Sequence, residues 1–118
     1  MSITRHESGP ILSLAVENGG TVYLAGIVPK NLKNDIKGQT SEVLAEIDRL
    51  LAKAGTNKSK VLAANIWVTD IRNRAAMNEV WTAWVDPKNL PVRACVEAKL
   101  ADPACLVEIM VTAAKLPH

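Results

Sequence analysis

The stretch that decides the fold runs from Pro91 to Ala113 and reads PVRACVEAKLADPACLVEIMVTA. It contains two runs in which apolar residues alternate with other residues, joined by a short Ala-Asp-Pro-Ala turn. In the first run the even positions are apolar, and in the second run the odd positions are apolar. A period of two places one face of a strand on a hydrophobic core. We therefore predict two strands that form a hairpin about residues 101–105, with these apolar positions facing inward.

The second face of these strands is unusual, because it carries apolar as well as charged side chains. The predicted strand at 61–69 repeats this feature, and the outward apolar residues of the three strands are Trp67, Cys95, Leu106 and Met110. A face exposed to water on an antiparallel sheet normally alternates to polar residues. We therefore predict that another subunit covers part of this face.

Arg93 and Glu108 are the two charged residues that this covered face would bring together. One interpretation is a structural ion pair, across neighbouring strands or a subunit interface. The other is a ligand site, in which the planar donors of Arg93 receive a small carboxylate. Glu108 would then hold a water or transfer a proton. The spacing alone leaves both interpretations open.

The first third of the chain predicts further strands. Ile3–His6 is a short polar lead that suits an edge strand. Ile11–Val16 and Thr21–Val28 are strand-like, and Asn18-Gly19-Gly20 between them is a typical turn sequence. We expect the latter two runs to form a hairpin.

The middle of the chain predicts two helices around one strand. Thr40–Ala54 has apolar residues at the spacing of one helical face, and Gly55 suits its C-terminal cap. A second helix, capped by Asp70 or Asn73, would carry an apolar stripe that ends at Trp84.

Between these helices, Val61–Thr69 alternates as a strand, with Leu62, Ala64, Ile66 and Val68 on one face. The predicted order is β-β-β-α-β-α-β-β. The fold class is therefore α+β, with a mixed sheet backed by two helices.

The composition limits the class of protein. A chain of 118 residues with 48% hydrophobic content suits a single domain over residues 1–118. A net charge of +2, with scattered lysines, argues against a nucleic-acid partner. No apolar run approaches the ~18 residues of a membrane span, and the first ten residues lack the apolar segment of a signal peptide. We expect a soluble cytoplasmic protein.

Several kinds of chemistry are not supported by the sequence. In the predicted hairpin Cys95 and Cys105 lie too far apart for a disulfide, so we expect two free thiols. His6 and His118 stand near the termini without the spacing of a metal site, and the lack of an internal histidine disfavours a Ser-His or Cys-His pair. We predict no metal and no cofactor.

The residues quoted above resemble the signature of the RidA family, also called YjgF/YER057c/UK114. The resemblance rests on Pro-Val-Arg-Ala-Cys-Val at 91–96 and Val-Glu-Ile at 107–109, supported by Gly9-Pro10 and by Met77–Trp81. It implies a chorismate-mutase-like, ferredoxin-like homotrimer with ligand clefts between subunits. It also implies hydrolysis of reactive 2-imino acids to 2-oxo acids and ammonia.

The resemblance assigns roles to individual residues. It implies that Arg93 binds the substrate carboxylate and that Glu108 positions the attacking water, these two being the catalytic residues. The other residues that it implies in the substrate site are Gly26, Asn78, Trp81, Ala94 and Cys95, the last through its main chain.

Two positions depart from the family pattern. Ile11-Leu12 stand near the place of a family tyrosine, and Ala25 stands at that of a serine. Three hypotheses follow: an imine deaminase, a noncatalytic trimeric module that binds a small carboxylate, and a nuclease or RNA-binding protein. The weak net charge and the lack of a stacking surface disfavour the third.

Overall fold

The computed structural model describes residues 2–115, and His118 lies outside the described residues. Its elements follow the predicted order, with the addition of 3-10 turns at Lys58–Lys60 and Ile71–Asn73. The strands and helices are β1 (Ile3–Ser8), β2 (Ser13–Asn18), β3 (Thr21–Leu24), α1 (Ile36–Lys53), β4 (Val61–Val68), α2 (Arg74–Trp84), β5 (Val92–Glu97) and β6 (Val107–Ala114). No helix in the described range is long and apolar enough to cross a membrane.

The six strands form one mixed sheet with the order β1-β2-β3-β6-β4-β5. β4 and β5 are parallel, and the other neighbouring pairs are antiparallel. The predicted hairpin of the last two strands is wrong, because β4 lies between β5 and β6. Both cysteines are free, as predicted.

The connection from β5 to β6 passes around the C-terminal end of β4. The Ala98 amide donates to the Val68 carbonyl at 2.9 Å, and the Thr69 amide donates to the Leu106 carbonyl at 3.2 Å. The buried Gln39 side chain of α1 donates to the Ala104 carbonyl at 3.0 Å and accepts from the Leu106 amide at 2.7 Å. One helical side chain thus fixes the connection that carries the chain over β4.

The caps of α1 explain its observed ends. The helix begins at Ile36, four residues before the predicted start, because the Asp35 carboxylate accepts from the Gly38 amide at 2.9 Å and caps the first turn. It ends at Lys53. Gly55 follows with φ at 83°, the left-handed conformation that glycine adopts most readily after a helix.

The core lies between the helices and one face of the sheet. Most of the side chains that α1 and α2 direct into it are buried, as are the alternate residues of β6. The largest fully buried side chains include Leu44, Ile47, Leu50 and Leu51 of α1, Met77 of α2, Ile66 of β4 and Ile109 of β6. Trp81 and Trp84 are also buried, which confirms the predicted stripe of α2.

The faces of β5 are the reverse of those predicted. Cys95 is in register with the buried Ile66 and packs against the core, whereas Val92 and Val96 are 72% and 49% exposed. Leu106, predicted to face outward, also packs against the core. Apolar residues occupy both faces of this edge strand, so alternation does not distinguish the inner face from the outer one.

The predicted inward orientation of Leu62 is also wrong, because β4 has a bulge near its start. The pairing with β6 shifts between Val61 and Ala63, so that Val61 is buried and Leu62 points outward, 53% exposed. From Ala64 to Val68 the predicted inner residues do face the core. We call the sheet face opposite the helices the outer face. Its large exposed or half-exposed apolar side chains include Tyr23, Leu62, Trp67, Val92, Val96 and Met110.

Candidate functional site

Arg93 lies on the helix side of the sheet, at its β5 edge. It is in register with the buried Ala64 of β4, and its side chain extends towards α2. Nη1 donates to the Asn78 amide oxygen at 2.7 Å. The guanidinium carbon lies 5.4 Å from the centre of the Trp81 ring, within the range of a cation–π contact. The exposed guanidinium is therefore held in one place and remains accessible.

The helix α2 supplies both contacts to Arg93 because Asn78 and Trp81 are three residues apart and share a helical face. The Trp81 ring packs against Trp84, with 5.4 Å between ring centres. Trp84 in turn donates its ring N–H to Asp48 of α1 at 3.0 Å. The surface under Arg93 is thus part of the packed helix layer.

Glu108 lies on the outer face of β6, in register with Trp67 of β4. Gly26 lies beside it, because the neighbouring residues Ile27 and Ile109 exchange backbone hydrogen bonds of 2.8 and 3.1 Å. A Cβ atom at Gly26 would overlap the Glu108 carboxylate. The absence of a side chain at Gly26 therefore gives Glu108 its position.

The structure does not bring Arg93 and Glu108 together within one chain. Their strands are separated by β4, and their side chains lie on opposite faces of the sheet. Neither residue forms an ion pair within the described range 2–115. The interpretation of an ion pair between adjacent strands is wrong.

Each of the remaining predicted site residues lies near either Arg93 or Glu108 in the chain or in the fold. Asn78 and Trp81 lie with Arg93, and Gly26 lies with Glu108. Ala94 is exposed on the outer face, in register with Asn65. Cys95 directs its side chain towards the core, which leaves its main chain as the part available to a ligand.

The described side chains contain no cluster of metal ligands, and the Cys105 thiol is not activated. No group of three or more metal-ligating residues occurs between residues 2 and 115. Burial raises the pKa of the Cys105 thiol, with smaller contributions from Asp102 and Glu108. A raised pKa disfavours the thiolate that a nucleophilic cysteine needs.

A cleft of about 520 Å³ lies between the sheet and α1, and its lining includes Gly26 but neither Arg93 nor Glu108. Its arginine is already paired, since Arg49 donates to Glu46 and to both oxygens of Glu7. Hydrogen bonds from Arg49 and Lys53 lower the pKa of Glu7 to about 2. Arg49 is therefore not free to bind an anion, unlike Arg93.

Sequence reasoning missed two features of the site. It did not place Val92 and Val96 on the outer face, and it gave no contact between Arg93 and Asn78. The three-residue spacing of Asn78 and Trp81 on one helix was the available signal for a shared role. That their shared partner is Arg93 depends on the parallel pairing of β4 and β5, which the sequence did not predict.

The chain is similar in sequence to one family of known proteins. The family model described as Endoribonuclease L-PSP matches residues 6–115. A RutC family protein of Haemophilus ducreyi is 45% identical over 101 residues, covering 86% of each chain.

Two solved structures extend this similarity. A member of the YjgF protein family from Neisseria meningitidis has a TM-score of 0.97 and 45% identity, with 100% of this chain and 98% of that chain covered. A YjgF/YER057c/UK114 family member from Mycobacterium tuberculosis has a TM-score of 0.87 and 33% identity, with coverage of 96% and 99%.

Proposed function

Because the chain belongs to the RidA (YjgF/YER057c/UK114) family, we propose that it hydrolyses reactive 2-imino acids to 2-oxo acids and ammonia in a cleft between subunits. The observation that carries the proposal is the state of Arg93. Its guanidinium is exposed, fixed by Asn78 and Trp81, and free of any carboxylate partner within residues 2–115. Such a group is suited to bind a substrate carboxylate.

The separation of Arg93 from Glu108 favours a site shared between two copies of the chain. One subunit would supply Arg93 from its sheet edge, and its neighbour would supply Glu108 from its outer face. The exposed apolar side chains around Glu108 provide the surface on which a neighbour would pack. A homotrimer closed by a threefold axis would contain three such clefts.

The proposed reaction needs no covalent bond between the enzyme and the substrate, because the imine carbon is already electrophilic. Arg93 binds the substrate carboxylate. Glu108 takes a proton from a water molecule as the oxygen of that water attacks C2 of the substrate. Glu108 returns this proton to the imine nitrogen, which gives a carbinolamine. The carbinolamine hydroxyl then gives its proton through Glu108 to the same nitrogen as the carbon–nitrogen bond breaks and the C=O bond forms, and the products are a 2-oxo acid and ammonia. Proximity and orientation of one water supply much of the rate.

The alternative function is noncatalytic binding of a small carboxylate by the same trimer. The apolar side chains of Ile11, Leu12 and Ala25 favour it, since they supply no hydroxyl to orient an imine or a water. Both functions require Arg93, but only the first requires Glu108 as a carboxylate.

Two variants separate binding from catalysis. We expect Arg93→Ala to lose both 2-oxo acid binding and imine hydrolysis, by about 10-fold or more, because a charge-assisted contact is removed. Glu108→Gln keeps the shape of the side chain and should retain binding while losing most of the turnover. Calorimetric titration of 2-oxobutyrate and an assay with freshly generated 2-imino acids measure the two effects. Arg72→Ala is the control, since within residues 2–115 that exposed arginine is paired only with Asp70.

Mixed trimers test whether the site is shared. In an equal, random mixture of refolded Arg93→Ala and Glu108→Gln chains, about a quarter of the interfaces would combine a native Arg93 with a native Glu108. Activity should recover towards this fraction, although each variant alone has lost most of its activity. No recovery would contradict a shared site, and wild-type binding without hydrolysis would favour the noncatalytic alternative.

A further inference from the structure

Arg93 differs from two other arginines of the chain in the kind of partner that holds it. Arg49 is bound by the carboxylates of Glu7 and Glu46, and Arg72 is bound by that of Asp70. Arg93 is bound instead by the neutral amide of Asn78, at 2.7 Å. A guanidinium only donates hydrogen bonds, so the amide oxygen faces it.

This difference in charge matters for a group that binds an anion. A carboxylate at position 78 would hold the guanidinium equally well, but it would neutralise its charge and compete with the ligand for its donors. An amide oxygen accepts one hydrogen bond and leaves the net charge in place. The Trp81 ring adds support without adding a negative charge.

We propose that Asn78 is a positioning residue that orients Arg93 through one hydrogen bond and, being neutral, keeps the guanidinium charge available for a ligand carboxylate. The proposal rests on the proposed function in one respect, namely that Arg93 receives a carboxylate. It assigns to Asn78 an action through Arg93, without requiring contact between Asn78 and the substrate.

Asn78→Asp and Asn78→Ala test the two parts of this proposal. Asn78→Asp keeps the acceptor in place but pairs it with Arg93, so we expect 2-oxobutyrate affinity to fall by about 10-fold or more in low salt. Asn78→Ala removes one hydrogen bond and should weaken binding by a smaller factor, about 3–10-fold. Asn57→Asp is the matched control. It makes the same change at an exposed residue that caps the Lys58–Lys60 turn, where aspartate also serves as a cap, and it should bind normally.

Stability measurements distinguish this role from a purely structural one. The new ion pair should leave the thermal midpoint of Asn78→Asp equal to or above that of the wild type, while its affinity falls. Compared with Asn78→Asp, Asn78→Ala should have a lower thermal midpoint but a higher affinity for 2-oxobutyrate. If Asn78→Asp binds as tightly as the wild type, or if affinity simply follows stability in both variants, the proposal is overturned.

A measurement without ligand separates this inference from the proposed function. In ¹⁵N-labelled protein, the Arg93 Nε–H signal can be assigned by its loss in Arg93→Lys. The nearby Trp81 ring should shift this signal, and the shift should persist in Asn78→Asp but largely disappear in Asn78→Ala. If the wild type binds no 2-oxo acid, the proposed function fails while the signal still reports the orienting role. An unchanged signal in Asn78→Ala would overturn that role.

Discussion

At the scale of single residues, the contact between Gly26 and Glu108 leads to a specific prediction. Gly26→Ala would place a Cβ atom in the space of the Glu108 carboxylate, at the end of a flexible side chain that can move aside. We expect a loss of stability below about 1 kcal/mol, but a fall of about 10-fold or more in imine hydrolysis, since a misplaced general base is ineffective. Urea unfolding and the imine assay measure the two quantities.

Gly20→Ala is the control for this substitution, because an added Cβ at Gly20 meets no atom within 4 Å. It should leave hydrolysis unchanged. Retained activity in Gly26→Ala would show that the position of Glu108 beside Gly26 is not needed for the reaction.

The sequence could predict which single residues matter, but not how they are arranged. Arg93 and Glu108 were identifiable because charges on a half-apolar strand face are unusual. Their location on opposite faces depends on which strands pair, which is a tertiary property. Asn78 was assigned through the family resemblance, since an asparagine on a helix has many possible roles and its spacing from Trp81 does not reveal which residue the pair contacts.

At the scale of elements, Gln39 is the residue on which the crossing of β4 depends most directly. Gln39→Met keeps the volume of the side chain but removes its hydrogen bonds to Ala104 and Leu106. We expect the free energy of unfolding to fall by about 1–3 kcal/mol, because backbone groups near the core lose their partner. Urea denaturation measures this change.

Thr40→Val provides the comparison for Gln39→Met. Thr40 is equally buried, but its hydroxyl donates only to the Ile36 carbonyl one turn earlier in the same helix. We expect this substitution to cost less than Gln39→Met. A negligible loss in Gln39→Met would indicate that Gln39 contributes by packing alone, and equal losses would indicate that its bonds to the connection add no more than the local bond of Thr40.

The order and type of the elements followed from the sequence, whereas the pairing of the last strands did not. The helical stripe that ends at Trp84 and the alternation of Val107–Ala114 each have a clear period. A short turn sequence between two strands normally predicts a hairpin. Here the partner of β5 is a strand about thirty residues earlier, and the connection is fixed by Gln39 of a distant helix.

At the scale of the whole molecule, the outer face of the sheet is the feature that a single chain leaves unexplained. Tyr23, Leu62, Val92, Val96 and Met110 are each at least 40% exposed on this face. From an apolar surface of this size we expect a contact with another molecule. The same face carries Glu108, so a subunit that packed on this face would also cover part of the candidate site.

The last prediction concerns this assembly. We expect the protein to sediment as a homotrimer in dilute buffer, and Met110→Lys to shift it towards monomer, since a buried unpaired ammonium opposes association. Ile71→Lys is the matched control, because Ile71 is 41% exposed and Met110 is 40% exposed, but Ile71 lies in the turn before α2 rather than on the outer face. Monomeric Met110→Lys should also lose hydrolysis, because Arg93 and Glu108 would no longer meet. A wild-type monomer with full activity would contradict both the shared cleft and the role assigned to Arg93 within it.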